Sequence, residues 1–367
     1  MHSNSSSGFR HRLHSLSSKL PLFTLGLITL PFSSLNAEKS HQYNTVINSN
    51  TLTVVAVENP TIVFKHDDFL HGFGYDLSRN YAQSLKVKLN FKTVPDNATA
   101  LKWVAQGKAN FAMTTASLDT IEQKQLVSFS ASCGDQASLR KNGLNTQFNW
   151  VFKQADDPLT LTASGFVCQS QHAGTTRQLA SFYNRNVVKP ESWSIIQKDL
   201  KKRLPIYQAS FKKSAAKYDI DWHLLAAMGY QESHLNANSV SPTGVRGLMM
   251  LTSSTAQAMG VRNRADPTQS IQGGAKYYDQ ILSQFNNIPY PDRNWYALVA
   301  YNMGPGAVFK IQKRIQSQGK DPNQWVNLYD YLQKNQTRNG RYKQALQYVT
   351  RIRSYVEHIK TNHHIEI

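Results

Sequence analysis

The strongest restriction on the fold is a change of rhythm near residue 190. From Ser192 almost to the C-terminus, apolar residues recur at helical spacing, and Gly and Pro are confined to connections. Before that point, short β-rich runs alternate with helical ones. Leu52–Val57 reads as a buried strand, Gly72–Leu85 as a helix entry and helix, and Val87–Val94 as an alternating strand. Ala98–Gly107 then reads as a helix closed by Gly, and Ala109–Met113 as a third strand. Strand, helix, strand, helix, strand implies an α/β layer with a mainly parallel sheet. A single layer type does not satisfy both rhythms. A chain of 367 residues with 40% hydrophobic content divides into two domains, an α+β whole with α/β first and all-α second.

In the second part, Leu200, Leu204, Ile206, Tyr207 and Phe211 set a helical stripe that Pro205 is expected to break. Ile220–His234 reads as one short helix, with Asp221 as N-cap and Leu224, Leu225 and Met228 as its apolar stripe. Glu232 and Ser233 stand at its C-terminal end. A carboxylate shielded by such a body holds its proton more tightly than in water, as a general acid near pH 7 requires. Taken alone, a solvated surface Glu is the commoner meaning of that position. Further helices are expected from Ser253 to Met259, from Asp266 to Phe285, from Trp295 to Tyr301 and from Tyr342 to His358.

The N-terminus reads as an export signal. Arg10, Arg12 and Lys19 precede the short apolar run Leu20–Phe32, and Leu35-Asn36-Ala37 offers small residues for cleavage. The expected organisation is a signal at 1–37, a polar spacer at 38–50, the α/β domain at 51–190, the helical domain at 191–362 and a tail at 363–367. The formal net charge is +18, and the signal holds three basic and no acidic residues, so the exported part stays strongly basic. Such charge favours polyanionic surroundings, and export excludes nucleic acid as the partner. An anionic membrane surface or an acidic cell-wall polymer remains, with a periplasmic location and peripheral attachment at the outer membrane. Cys133 and Cys168 are the only cysteines; in an exported chain they form a disulfide or stay as two buried thiols. His234, His358, His363 and His364 lack zinc spacing, so neither metal nor other cofactor is expected.

Two resemblances sharpen this. His71-Gly-Phe-Gly-Tyr-Asp-Leu77, Lys86-Val-Lys-Leu89 and Leu101–Phe111 resemble the first lobe of family 3 periplasmic solute-binding proteins, and Asn149–Pro158 resembles the segment that returns to that lobe. Only residues 121–148 stand where that family inserts its second lobe. The resemblance therefore implies a single-lobed remnant that serves as a scaffold or docks an envelope protein. A Cys133–Cys168 disulfide would brace the side where the second lobe is missing.

Gln231-Glu-Ser-His234, Gly244–Ala256 and Ala300-Tyr-Asn-Met-Gly-Pro-Gly306 together resemble the lysozyme-like catalytic domain of family 1 lytic transglycosylases. Met249-Met250-Leu-Thr and Arg264–Gly274 are similar to its membrane-bound F-type branch. The resemblance implies cleavage of the MurNAc–GlcNAc β-1,4 bond of peptidoglycan with a 1,6-anhydro product, Glu232 serving as acid and then as base. Consistently, no Asp or Glu lies between Glu232 and Asp266, so the loop holds no second carboxylate. By the same resemblance Ser233 hydrogen-bonds the glycan or orients Glu232, and Gly247, Leu248 and Met249 form a cleft wall. Tyr301 and Asn302 aim into the cleft, and Tyr348 is either the family's later tyrosine beside the acid or a core tyrosine. A hydrolytic muramidase, a non-catalytic peptidoglycan-binding module and a solute sensor are the competing readings.

Overall fold

The computed structural model describes residues 41–66 and 69–361; the expected signal and tail lie outside them. In the first half, β1 (Thr51–Val57) is the central strand, as its apolar run requires. It pairs in parallel with β4 (Lys88–Val94) on one side and β5 (Phe111–Thr114) on the other. β7 (Asn149–Phe152) enters between β5 and β6 (Val127–Ser130), antiparallel to both, giving the order β4-β1-β5-β7-β6. Four strands therefore share one direction, and β7 alone runs against them. β2 (Phe64–His66) and β3 (Phe69–His71) form a separate antiparallel pair. Residues 121–148, too short for a lobe, contribute β6 as an edge strand together with α5 (Gln136–Lys141).

Alternation along the strands builds two faces. Val55, Ala112 and Val151 pack with Ala100, Leu101 and Val104 of α3 (Asn97–Ala105) and with Ile121 of α4 (Leu118–Glu122). Leu52, Val54, Phe111, Met113 and Trp150 face the other way, into a core shared with α2 (Phe73–Ser84), α6 (Pro158–His172) and α7 (Thr175–Phe182). Cys133 and Cys168 are bonded, Cα to Cα 5.0 Å, tying the connection after β6 to α6. The expected polar spacer is instead helical over α1 (Gln42–Ser49), with Val46 fully buried. Asp157 explains it: its carboxylate caps α6 at the Leu159 N–H and also accepts the Gln42 N–H at 2.6 Å, so one side chain serves two helix starts.

The second half is helical throughout: α8 (Pro190–Lys217), α9 (Trp222–Ser233), α10 (Ser253–Met259), α11 (Pro267–Gln284), α12 (Asp292–Met303), α13 (Pro305–Ser317), α14 (Trp325–Asn335) and α15 (Gly340–Thr361). Against expectation, α8 passes through Pro205. Pro205 and Lys201, whose carbonyl loses its helical donor, both lie on the exposed side, where water replaces the missing bond. No helix among the described residues is long and apolar enough to cross a membrane.

The core of the second sheet face continues into the helices. Phe182 of α7 meets Trp295, Trp325 and Tyr329 edge-on, with centroids 5.1–5.6 Å away. Beside them lies a buried polar cluster. Arg79 of α2 bridges Asp76 at 3.1 Å and Asp292, the first residue of α12, at 2.8 Å. The Tyr183 hydroxyl donates to Asp76 at 2.6 Å, and the Trp325 N–H to Asp292 at 2.9 Å. Burial raises Asp76 to about 6, against the pull of Arg79.

Candidate active site

α9 begins where Asp221 accepts the His223 N–H at 2.9 Å, and Leu224 to Tyr230 are all buried because α8 and α15 both pack on it. Its C-terminal end reaches a polar boundary. There His234 and Leu235 take left-handed conformations (φ 53° and 56°) that turn the chain away, and the Arg203 guanidinium donates to the His234 carbonyl at 2.7 Å.

Glu232 sits at this end, with part of the residue exposed and its carboxyl enclosed. The Tyr348 hydroxyl of α15 donates to its Oε1 at 2.7 Å. Burial raises the Glu232 pKa to about 7, with the Tyr348 hydrogen bond acting in the opposite direction. Burial also raises Tyr348 and Tyr301 well above the ordinary phenol value, and the nearby Glu232 charge adds to both. Both tyrosines therefore remain protonated donors at neutral pH.

The loop facing Glu232 is held from below. Gly247 has φ +83°, and a Cβ there would lie 1.8 Å from the Arg264 carbonyl oxygen, so only glycine fits. The side chains of Leu248 and Met249 are fully buried and pack into the core. Glycines make room for them: a Cβ on Gly229 would stand 2.9 Å from Leu248, and one on Gly274 would stand 2.7 Å from Met249. The Ser233 hydroxyl reaches the Leu248 carbonyl at 2.8 Å and that of Gly229 at 3.1 Å. It therefore staples α9 to the loop and is not bonded to Glu232. The Tyr301 hydroxyl donates to the Met249 carbonyl at 3.1 Å. Asn302, next along α12, is half-buried, and no hydrogen bond joins its side chain to this group.

Glu232, Ser233, Gly247, Leu248, Met249, Tyr301 and Tyr348 thus meet in one hydrogen-bonded unit drawn from three helices and a loop. Sequence reasoning missed two of its supports. Ser270 of α11 accepts the Met249 N–H at 3.1 Å, and the Arg264 guanidinium spans the loop's base, donating to the Gly244 and Leu251 carbonyls at 3.1 and 2.9 Å. Both fall within Arg264–Gly274, whose pattern stands out in the sequence without assigning these contacts.

Residues 209–324 match the family described as Transglycosylase SLT domain. Over these residues the chain is similar to that family. Over 228 residues it is 41% identical to membrane-bound lytic murein transglycosylase F of Stutzerimonas stutzeri, a stretch covering 59% of this chain and 47% of that protein. The proteins of that name from Ectopseudomonas mendocina and Shewanella halifaxensis are 45% and 48% identical over 180 and 165 residues. Those stretches cover 48% and 42% of this chain and 37% and 34% of the relatives, so the chain spans less than half the length of each relative. Among solved structures, an inactive mutant of lytic transglycosylase Slt from Pseudomonas aeruginosa overlaps 76% of this chain and 48% of its own, at a TM-score of 0.35 and 18% identity. An ancestral cationic amino acid solute-binding protein overlaps 39% and 99%, at 0.33 and 12%. The matched residues take in Glu232, the Gly247–Met249 loop and Tyr301; Tyr348 lies beyond them.

Proposed function

We propose that this protein is a peptidoglycan lytic transglycosylase that cleaves the MurNAc–GlcNAc β-1,4 bond and leaves 1,6-anhydro-MurNAc ends. One observation carries the reading: Glu232 is a buried carboxyl with a pKa of about 7, and its partner is a neutral phenol. Near neutral pH such a group is populated both as acid and as base. The protonated form gives its proton to the glycosidic oxygen as the bond to the muramoyl anomeric carbon breaks. The resulting carboxylate, steadied by the Tyr348 hydroxyl, then takes the proton of the same sugar's C6 hydroxyl as that oxygen closes the anhydro ring. Protons balance, and no water is consumed.

Two-carboxylate glycosidases use a second acid to hold a nucleophile or activate water. Here the loop after Glu232 is free of acids as far as Asp266, which favours the internal alkoxyl over water. The backbone around Leu248 and Met249 would approach the sugar, with Ser233 and Tyr301 fixing that backbone and Asn302 free to contact the glycan. An exported location at the cell envelope accords with the basic charge and with the names of the relatives. The α/β half then serves as a scaffold or as a dock for an envelope partner.

The test is mass spectrometry of purified peptidoglycan digested with the wild type and with Glu232→Gln. Anhydromuropeptides from the wild type alone are expected. Reducing ends would mean hydrolysis, and absence of products from both would mean a glycan-binding module.

A further inference from the structure

A second cavity, of about 400 Å³, lies away from Glu232. That size falls within the roughly 300–1,000 Å³ of small-molecule sites. Its walls come from both halves of the molecule: Phe64 and Lys65 from β2, Arg185 from the link after α7, Trp193 from α8, and Glu357 and His358 from α15.

The charges facing it do not cancel. Glu357 is committed to Arg353, a guanidinium only 3% exposed that also donates to the Asn184 carbonyl at 2.8 Å and lies over the Phe182 and Tyr183 rings. Glu357 stands 3.9 Å from Arg185, at the outer edge of an ion pair. Arg185 therefore keeps most of its donors, and Lys65 has no ion pair among the described residues. Burial lowers the His358 pKa, so this ring adds no charge at neutral pH. Among the described residues the surplus at the cavity is cationic. The apolar part is flat: His358 stacks on Trp193 at 4.5 Å and 25°, which fixes the indole plane, and Phe64 supplies a second ring.

We propose that this cavity binds a small organic carboxylate with a planar ring, its anion on Arg185 and Lys65 and its ring against Trp193 and Phe64. A guanidinium matches a carboxylate in fork geometry, and flat rings order few torsions on binding. None of the residues used lies in the Glu232 unit, and the claim does not rest on the glycan reading.

The experiment is isothermal titration of the full chain with indole-3-acetate and with its neutral isostere indole-3-acetamide, at millimolar concentration and without turnover. The carboxylate is expected to bind one to one, and the amide at least about tenfold more weakly. Arg185→Gln and Lys65→Gln should each weaken the acetate towards the level of the amide, and Arg185→Lys should retain part of the preference. Both side chains lie near the surface, so unchanged melting temperatures should accompany these losses. Equal affinity for acid and amide, no binding of indole-3-acetate by the wild type, or undiminished binding by Arg185→Gln would each overturn the proposal.

Discussion

Two buried carboxyl centres in this molecule can be compared directly. Asp76 and Glu232 both lie on helices packed into the core, and each accepts a tyrosine hydroxyl, at 2.6 and 2.7 Å. Burial raises both. They differ in what else stands beside them. Asp76 has the Arg79 guanidinium at 3.1 Å, shared with Asp292. Among the described residues Glu232 has no cation beside it, and only the phenol draws its pKa down. A buried carboxylate with a cation is a fastener, because removing either partner strands the other charge in the core. One without a cation is held near its own titration point and costs stability whenever it ionises. On the proposed mechanism, that cost accompanies proton transfer at neutral pH.

The largest effects should separate the two centres by kind. Glu232→Gln is expected to lower the release of anhydromuropeptides by at least ~10²–10⁴-fold, since on the proposed mechanism Glu232 carries the proton. Soluble product measured by chromatography checks it, and substantial residual turnover would show that another group carries the proton. Arg79→Met should act on stability. It leaves Asp76 and Asp292 buried without their cation, at a cost of about 3–5 kcal/mol in a denaturant melt. The variant should retain near-normal turnover per folded molecule. A small stability loss would mean that the cluster is less sealed than its geometry indicates.

Some of this was readable in the chain and some was not, for a definite reason. Local devices are written locally. Asp221 announces the start of α9, and the apolar run of Leu52–Val57 announces the central strand. Partners in space are not written this way. Tyr348 reaches Glu232 across 116 residues, and Arg79 reaches Asp292 across 213. A tyrosine on an apolar helix face looks the same in sequence whether its hydroxyl meets a backbone carbonyl or an acid. Pro205 shows the converse failure: a strong local signal for a break is overridden because the lost bond faces solvent. The polar stretch before β1 folds onto Asp157 for the same kind of reason, a partner 115 residues distant.

The comparison also predicts opposite signs for two substitutions at buried charges. Glu232 titrates near 4.5 when exposed and at about 7 when folded, so the folded state binds its proton more tightly. No penalty applies below pH 4.5; it accrues as pH rises and is complete above about 7. Glu232→Gln abolishes it while keeping an acceptor for Tyr348. The variant should match the wild type near pH 4.5 and exceed it by up to about 3 kcal/mol at pH 8, whereas Arg79→Met is destabilised. Melting temperatures of the two proteins across that range test this, and a constant gap would place the Glu232 proton elsewhere.

The smallest effect isolates the phenol. The Tyr348 hydroxyl stabilises the carboxylate form of Glu232, so Tyr348→Phe should raise the Glu232 pKa further, by about one pH unit for a hydrogen bond to a charged group. On the proposed mechanism cleavage needs the protonated acid, so the falling limb of kcat/KM, expected near pH 7 in the wild type, should move to higher pH. The second step needs the carboxylate that Tyr348 steadies, so kcat should fall even where the acid is fully protonated. Such a divergence, with the limb moving up and the plateau moving down, distinguishes a phenol that holds the acid's conjugate base from one that merely fills the core. In the second case the plateau would drop with the limb unmoved.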